Sequence, residues 1–460
     1  GELTRTDFGI LSVGGDVGHT HVWKKSSVGG KIQYTNLRPY VGLISQEIDW
    51  QDAPVSFDGS VAFRQEVGKT GLLKFYGNIN NSNFSLLNHD IDNYQQTQVY
   101  DLSNNYSYIN ASYRDALSAD WTIRGGVSYT YLKNEAHTGS SIQDELQKSL
   151  HVKSVFEGSL SDQVDWKIGG EVIDRSYDEV QHDNALPASY DFHETLSVAF
   201  AEADFYASNG FVTRIGARTE YNNLNKHFRI DPRLSLAYKI GKDGQVSLAY
   251  GKFRQSGKNE FIKINALLDP EKADHYILNY QYVKQNKIFR IEAFYKAYDD
   301  LVKFETTNGF QLNNNGNGNA KGIEFFWRDN ASFKGLDYWV SYSLLDTRRN
   351  YLNFPYAATP SFASKHNFSV VTKYFVRKIK SQLGLTYSFT SGRPYYNPNI
   401  NAFHTQHTPN YADLSFNWSY LPTTSVIVYF SCTNVLGRQN VFGYEFSDNR
   451  SDDGIFNVRP

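Results

Sequence analysis

The sequence contains no methionine and a single cysteine among its 460 residues. The lone Cys432 excludes an internal disulfide and any metal site built from several thiolates. The absence of methionine, including an initiator, has two possible explanations. Either residues 1–460 are an internal part of a longer protein, or methionines were left out of the sequence as written. In the second case the side-chain alternation of some strands would shift by one residue.

Long apolar runs and a strong net charge are also missing. No stretch approaches the roughly 18 consecutive apolar residues that a membrane-spanning helix needs. The formal net charge is −2 at pH 7, so charge does not direct the chain towards nucleic acid or anionic surfaces. The sequence therefore predicts neither transmembrane helices nor a nucleic-acid partner.

Aromatic residues are abundant instead. The chain has 33 Tyr, 31 Phe and 7 Trp, which make up 15% of its residues. Tyr and Trp collect where an apolar medium meets water, because each has an apolar body and a polar tip. This composition favours a structure with a large interface and a small interior.

Side chains alternate with a period of two along most of the chain. In the stretch WTIRGGVSYTYL, residues 121–132, Trp121 and Ile123 point one way while Arg124 and Ser128 point the other. Such a pattern predicts strands with an apolar medium on one face and water on the other. In a sheet closed into a large barrel, the wet face lines the lumen, where charged side chains contact either a plug or one another. The charges that we expect on this face are Arg124, Arg214, Arg218, Glu220, Arg290, Glu292, Glu324 and Arg328.

Short turns and longer polar links alternate between these strands. This arrangement predicts an up-and-down antiparallel sheet, with short turns at the periplasmic end and long loops at the extracellular end of an outer-membrane barrel. The expected fold class is all-β, with residues 1–460 forming one large antiparallel transmembrane β-barrel domain. We expect about 22 strands in the full protein, within a range of roughly 18 to 24.

Two stretches are interpreted as exceptions to this strand pattern. SIQDELQKSL is the nearest to a helix but is short and polar, which also suits a loop turn, and QLNNNGNGNAKG fits a loop tip. A soluble sandwich or propeller is the alternative fold. Many strands run for about 9–11 residues, which favours tilted membrane strands over the shorter strands of soluble sheets.

Several stretches resemble one family, the barrel of TonB-dependent outer-membrane transporters of the kind found in Bacteroidetes. Their shared order and spacing from residue 231 onward carry the resemblance. The stretches are DPRLSLAYKI, DPEKADHYILNYQY, FRIEAFYKAYDDLVKF, NAKGIEFFWRD, TPSFASKHNFSVVTKYF, TSGRPYYNPN and FSCTNVLGRQNVFGYEFS.

The resemblance implies energy-dependent uptake across the bacterial outer membrane. A plug domain fills the lumen in this family, and the TonB complex of the inner membrane pulls on it. The family carries iron chelates including siderophores, other metal complexes, cobalamin, glycans or peptides, in some cases with a surface lipoprotein. Neither a plug, a TonB box nor the final strand is visible here, so residues 1–460 are interpreted as the barrel portion of a longer protein.

Aromatic and histidine side chains in the long links are the candidate ligand-binding residues. Aromatic rings stack on sugars or aromatic chelators and lose little conformational entropy. A place in the outer aromatic girdle is the alternative for each ring. The candidates are Tyr190, Phe192, Tyr351, Phe354, Tyr356, Tyr395, Tyr396, His404 and His407.

No cofactor, metal site or catalytic constellation is expected. His19 and His21 share a strand face, but no carboxylate or thiolate is placed to complete a metal site. The chain shows no Ser/His/acid arrangement, so we expect no enzyme. Two other functions stay open: a passive porin-like channel with an inward-folded constriction loop, and a non-transport β-protein that binds glycans.

Overall fold

The computed structural model describes residues 4–43, 48–89, 91, 97–182, 187–305, 311–450 and 455–459, with the backbone alone for residues 448 and 449. Within these ranges the chain is built almost entirely of antiparallel strands. Neither α-helix is long and apolar enough to cross a membrane.

The strands and helices follow in chain order. They are β1 Arg5–Leu11, β2 Gly14–Val22, β3 Ser26–Asn36, α1 Arg38–Leu43, β4 Asp49–Val67, β5 Gly71–His89, β6 Thr97–Ala116, β7 Trp121–Thr138, β8 Ser141–Ser161, β9 Val164–His182, β10 Ala188–Ser208, β11 Phe211–Asn222, β12 Phe228–Ile240, β13 Gly244–Gln255, α2 Asn259–Ile262, β14 Glu271–Lys284, β15 Lys287–Glu305, β16 Gln311–Asp329, β17 Leu336–Asn350, β18 His366–Val376, a 3-10 turn Arg377–Ile379, β19 Ser381–Thr390, β20 Pro394–Tyr395, β21 Gln406–His407, β22 Tyr411–Tyr420, β23 Val428–Cys432, β24 Glu445–Arg450 and β25 Phe456–Arg459.

In the described part of the chain, one sheet contains 21 strands: β1 to β19, β22 and β23. By their contacts the residues fall into two compact units. Unit 1 comprises residues 1–204, 216–231 and 258–267, and unit 2 comprises residues 205–215, 232–257 and 268–460. The predicted all-β antiparallel fold is confirmed.

Unit 1 is a meander in which each strand from β1 to β9 pairs antiparallel with the next. The register places apolar side chains of successive strands on one face, which we call the apolar band. The band includes Ile32, Phe57, Val61, Phe75, Ile79, Ile109, Val127, Tyr129, Val152 and Val172. The opposite face of the sheet, which we call the polar face, carries the charges.

The apolar band covers only the half of each long strand that lies next to the short turns. On β9 the band ends at Val172, and this face then carries Asp174, Ser176 and Asp178. About 9–11 residues of a tilted strand are enough to cross the hydrocarbon core of a membrane. In a membrane barrel of the predicted kind, residues 175–182 therefore lie outside the hydrocarbon, on the side of the longer connections.

Unit 2 continues the pattern, with consecutive antiparallel pairs from β12 to β19 and then β22 and β23. The longest connections in the described residues belong to this part of the sequence, at residues 256–270, 351–365 and 391–410. The first of these sends residues 258–267 into unit 1.

The predicted strict alternation of short and long connections is wrong at two places. Residues 12–13 and 139–140 are short turns at the end where long loops were expected. SIQDELQKSL is part of β8 and QLNNNGNGNAKG is part of β16, so neither is a loop. These strands run beyond the apolar band, where both faces meet water and alternation is lost.

Candidate ligand-binding surface

The connection after β17 is fixed to β15 before it turns outward. Leu352 adopts a left-handed backbone conformation (φ 48°). Its N–H donates to the Val302 carbonyl at 2.7 Å, and its carbonyl accepts from the Phe304 N–H at 2.9 Å. The Lys303 ammonium donates to the Phe354 carbonyl at 3.0 Å. These contacts anchor the backbone around Phe354 to the end of β15, and this anchoring fixes the position of the Phe354 ring.

Phe354 lies at the centre of a group of aromatic side chains from two connections. Its ring centroid is 4.8 Å from those of Tyr351 and Phe403 and 4.9 Å from that of His404. Phe403 and His404 stack on each other at 4.2 Å. We call Tyr351, Phe354, Tyr356, Tyr396, Phe403 and His404 the ring cluster. Phe354 is 6% exposed, so the cluster has a buried centre.

Two tyrosines form the exposed rim of the ring cluster. Tyr356 is 52% exposed and Tyr396 is 51% exposed, and their centroids lie 6.1 Å and 5.5 Å from that of Phe403. The Tyr356 hydroxyl accepts a hydrogen bond from the Phe403 N–H at 3.3 Å and keeps its own proton for donation. The rim thus presents two exposed aromatic rings and one hydroxyl donor, and the packed centre of the ring cluster holds them in place.

His404 holds the two connections together. It has a left-handed backbone (φ 53°), and its Nδ1 lies 3.0 Å from the Thr359 carbonyl. Because a carbonyl oxygen can only accept, Nδ1 is the donor of this contact. Ligand binding by His404 stays a prediction. In the structure, its contact with the Thr359 carbonyl joins the two connections and orients the ring cluster.

Arg349 lies next to the ring cluster among three aromatic rings. Its guanidinium carbon is 4.4 Å from the Tyr298 centroid, 5.2 Å from that of Phe362 and 5.7 Å from that of Tyr351. Burial raises the pKa of the Tyr351 hydroxyl; Arg349 opposes this rise and Glu271 adds to it. Tyr351 therefore stays protonated at neutral pH.

Two predicted residues of the 391–410 connection do not join the ring cluster. Tyr395 packs on Tyr444 at 4.7 Å and on Phe446 at 6.4 Å. His407 pairs with Pro394 in a short antiparallel ladder that closes the connection. The candidate residues of this connection thus separate into two groups.

Tyr190 and Phe192 were expected in a long link, but both lie in β10. The link is shorter than predicted because β9 extends to His182 and β10 begins at Ala188. Phe192 is 8% exposed and stacks on Tyr177 at 5.2 Å. Tyr190 has the Lys263 ammonium over its ring at 4.8 Å.

These two rings pack against residues 258–267, which we call the inserted segment. Ile262 of α2 forms a buried cluster with Tyr177 and Phe192, and Leu224 and Ala266 pack against it. In the sheet register, Tyr177 shares the face of Glu171, so the inserted segment lies on the polar face. A connection folded onto this face was one expectation of the porin-like alternative.

An ion pair fixes the inserted segment to β9. The Lys263 ammonium lies 2.8 Å and 2.7 Å from the two carboxylate oxygens of Glu179, and Gln143 donates to the same carboxylate at 2.9 Å. Glu179 lies beyond the apolar band, in the part of β9 outside the hydrocarbon, where the inserted segment buries it. Burial disfavours its ionised form, but hydrogen bonds from Lys263, Tyr177 and Gln181 outweigh burial and lower the pKa of Glu179.

Several predicted polar-face charges pair with one another or with other charges on the sheet, within one strand or between strands. Arg124 donates to Glu157 through Nε at 3.1 Å. Arg218 donates to Glu171 at 2.6 Å, and its Nε lies 3.6 Å from Glu220. Such pairs support the interpretation of a hydrated wall, and contact with a plug stays a prediction.

The remaining predicted charges belong to β11 and to unit 2. Arg328 makes a two-pronged contact with Asp337 at 2.9 Å and 2.7 Å. Glu292 accepts from Asn279 at 3.3 Å and lies opposite Glu324 in the register. Arg290 lies opposite Gln281, and Arg214 belongs to β11.

Among the described residues, no group of three or more His, Cys, Asp or Glu side chains is arranged to hold a metal ion. The rings of His19 and His21 stack at 6.3 Å, and Trp23 packs edge-on against His21 at 4.3 Å. These histidines lie with Val17 on the face of the apolar band.

Phe403, Arg349 and Lys263 were not predicted from the sequence. Phe403 is the one apolar ring in the stretch NPNINAFHTQHTPN, and this was a signal for a packing role. Arg349 and Lys263 gave no comparable signal, since their partners lie in distant parts of the sequence.

Residues 33–435 match the model of a family described as TonB dependent receptor-like, beta-barrel. The comparison with curated proteins found no match. Three solved structures illustrate the likeness of fold, each covering 97% of this chain. The ferric yersiniabactin uptake receptor FyuA from Yersinia pestis has a TM-score of 0.74 at 12% identity, over 76% of its own length.

The other two structures are comparably similar. FpvA of P. aeruginosa, in complex with a pyoverdine and iron, has a TM-score of 0.75 at 9% identity over 68% of its length. The ferric-catecholate import receptor Fiu from Escherichia coli has a TM-score of 0.72 at 9% identity over 78% of its length. At such identities the likeness shows the fold alone.

Proposed function

Because this chain belongs to the family of TonB-dependent receptor β-barrels, which lie in the bacterial outer membrane, we propose that it forms the barrel of a receptor that takes up a scarce nutrient. The energy for uptake comes from the TonB complex of the inner membrane, acting through a plug domain outside residues 1–460. The ligand enters the periplasm, and a surface lipoprotein is a further partner to test.

The observation that carries the proposal is the exposed rim of the ring cluster. Tyr356 and Tyr396 present their rings on the side of the longer connections, over a centre that is already packed. Rings held in place stack on a ligand at a low entropy cost. This arrangement suits a ligand with a flat, partly apolar surface, such as an aromatic iron chelate, another metal complex, cobalamin, a glycan or an aromatic peptide.

Iron chelates are the first ligands to test. FyuA, FpvA and Fiu, which share the fold, are named for ferric yersiniabactin, pyoverdine with iron and ferric catecholates. Their low identity to this chain makes these names a guide to the choice of ligand only.

The test replaces the rim tyrosines in the full-length receptor. We expect Tyr356→Ala and Tyr396→Ala to weaken the apparent affinity for the transported chelate about five- to twentyfold each, or about 1–2 kcal/mol. The measurement is uptake of radiolabelled ferric chelates, as a panel, by cells that produce each variant as their only chelate receptor.

Tyr40→Ala is the matched control, because Tyr40 is also exposed, at 43%, and lies in the connection between β3 and β4, outside the ring cluster. Its affinity should equal that of the wild type. Unchanged affinity in both rim variants would contradict the assignment of the ring cluster to ligand binding.

A passive channel is the second candidate, and the inserted segment is the observation that favours it. This segment lies on the polar face, held by the Lys263–Glu179 ion pair. A channel would take up solute equally with and without the TonB complex. The location in the outer membrane argues against a soluble protein, and uptake of the ligand into the periplasm distinguishes a transporter from a β-protein that only binds glycans.

A further inference from the structure

A groove of about 630 Å³ crosses the apolar band of unit 1 from β2 to β6. Two rows of the sheet register line it. The first row runs from Val17 on β2 to Ser107 on β6, and the second runs from His19 on β2 to Ile109 on β6. The groove lies on the face that meets lipid in an outer-membrane barrel.

The groove exists because three residues on this face are glycines, which have no side chain to fill it. Gly30, Gly59 and Gly77 stand where neighbouring positions carry branched apolar residues. A Cβ atom at Gly59 would lie 3.1 Å from Ile79 Cγ1, and one at Gly77 would lie 3.3 Å from Val61 Cγ1, so these neighbours lean over the glycines. A Cβ atom at Gly30 would meet only the Ser60 carbonyl, at 3.7 Å, so the groove is open there.

The groove slopes through the apolar band. Its β2 end is at His19, close to the short turn that follows β2, whereas its β6 end is at Ile109, several residues from the turn that follows β6. Since membrane strands tilt by about 45°, a row across the strands is inclined to the membrane plane. The groove therefore runs from the periplasmic interface towards the middle of the hydrocarbon.

Polar and basic side chains gather at its interfacial end. His19, His21 and Trp23 lie together on the β2 hairpin. Lys24 and Lys25 form the turn that follows, and both are exposed. Among the described residues neither lysine has an acidic partner. Amphipathic rings and lysines at such a level are typical contacts of lipid head groups.

We propose that the groove is a binding site for one anionic phospholipid of the periplasmic leaflet. One acyl chain lies along Val17, Ile32 and Val61, over Gly30. The phosphate lies at Lys24, Lys25 and the ring N–H of His21. Charge complementarity between the two lysines and the phosphate favours an anionic head group.

The test uses the full-length receptor, extracted from outer membranes in a mild detergent and examined by native mass spectrometry. The wild type should retain one phosphatidylglycerol or cardiolipin molecule per chain. Gly30→Leu fills the open part of the groove and should reduce the retained fraction about tenfold.

Gly125→Leu is the matched control. Gly125 lies in β7 on the same face, and a Cβ atom there would meet only the Lys153 carbonyl, at 3.6 Å. This variant should retain lipid as the wild type does. Equal retention in both glycine variants, or equal loss, would overturn the proposal.

A second variant keeps the test independent of folding at Gly30. Lys24→Gln combined with Lys25→Gln alters only an exposed turn, and it should lower retention of phosphatidylglycerol about tenfold, while phosphatidylethanolamine, which is neutral overall, changes little. No change in phosphatidylglycerol would contradict the head-group assignment.

Two other occupants give distinct results. A second copy of the chain in the groove would appear as a dimer that Gly30→Leu dissociates. Free phosphate at the lysine turn would bind as inorganic phosphate and displace no lipid mass, with the same occupancy in Gly30→Leu. Either result would overturn the phospholipid assignment.

Discussion

Glu179 holds the inserted segment on β9 through a buried ion pair with Lys263. Its side chain is fully buried, and the side chain of its partner Lys263 is 11% exposed. A buried carboxylate that loses its cation keeps the desolvation cost without the compensating attraction. The effect of removing the cation should therefore exceed that of any exposed pair on the same segment.

Replacing this cation is the first prediction at this scale. Lys263→Met should destabilise the inserted segment by about 3–5 kcal/mol, because an unpaired charge remains at Glu179. Hydrogen exchange of residues 258–267 measures the loss. Lys258→Met is the control, since Lys258 forms an exposed pair with Glu260, and a similar effect of both variants would contradict the account.

Acid should release the same contact. The pKa of Glu179 in the folded protein lies below its ordinary value of 4.5. Because the folded pKa is lowered, the ion pair contributes its full stabilisation at pH values above the ordinary pKa of 4.5. This contribution is lost as the pH falls through the folded pKa. Amide protection of α2 should stay constant from pH 7 to 5 and fall below pH 4.5, and Glu179→Gln should remove this dependence.

Strands are predictable from the sequence where they border two different solvents. The alternation of WTIRGGVSYTYL matches β7, because lipid and water select different side chains on its two faces. Past the apolar band both faces meet water, and the selection disappears. This is why SIQDELQKSL and QLNNNGNGNAKG, both paired strands, resemble loops in the sequence.

Exchange of the Asn-rich part of β16 tests this explanation. Residues 311–313 and 316–319 pair with β15, and residues 317–319 also pair with β17. Their amides should exchange at least about a hundredfold more slowly than those of residues 398–402 in the longest connection. Equal rates would show that the stretch is a loop tip after all.

The candidate site was predictable in its chemistry and only partly in its assembly. Five of the predicted residues, from Tyr351 to His404, meet in the ring cluster because two connections fold onto each other. The centre of the contact is Phe403, whose role depends on packing between distant segments. The sequence also predicted Tyr190 and Phe192 in a link, but both residues lie in a strand.

At the scale of the whole molecule, the family match, the apolar band and the ring cluster agree on one arrangement. In unit 1 the apolar band gives one face of each long strand its contact with lipid, and in unit 2 the ring cluster lies on two of the longer connections. Residues 33–435 match the barrel model. Energy coupling is the part of the proposal on which the choice between a receptor and a channel depends.

The measurement that tests this choice most directly is uptake of a ferric chelate by cells that produce the full-length protein as their only chelate receptor, with and without the TonB complex. We expect saturable uptake that falls at least about a hundredfold without TonB, to the level of cells that lack the receptor. Equal, non-saturable uptake in both strains would contradict the receptor account and establish a passive channel.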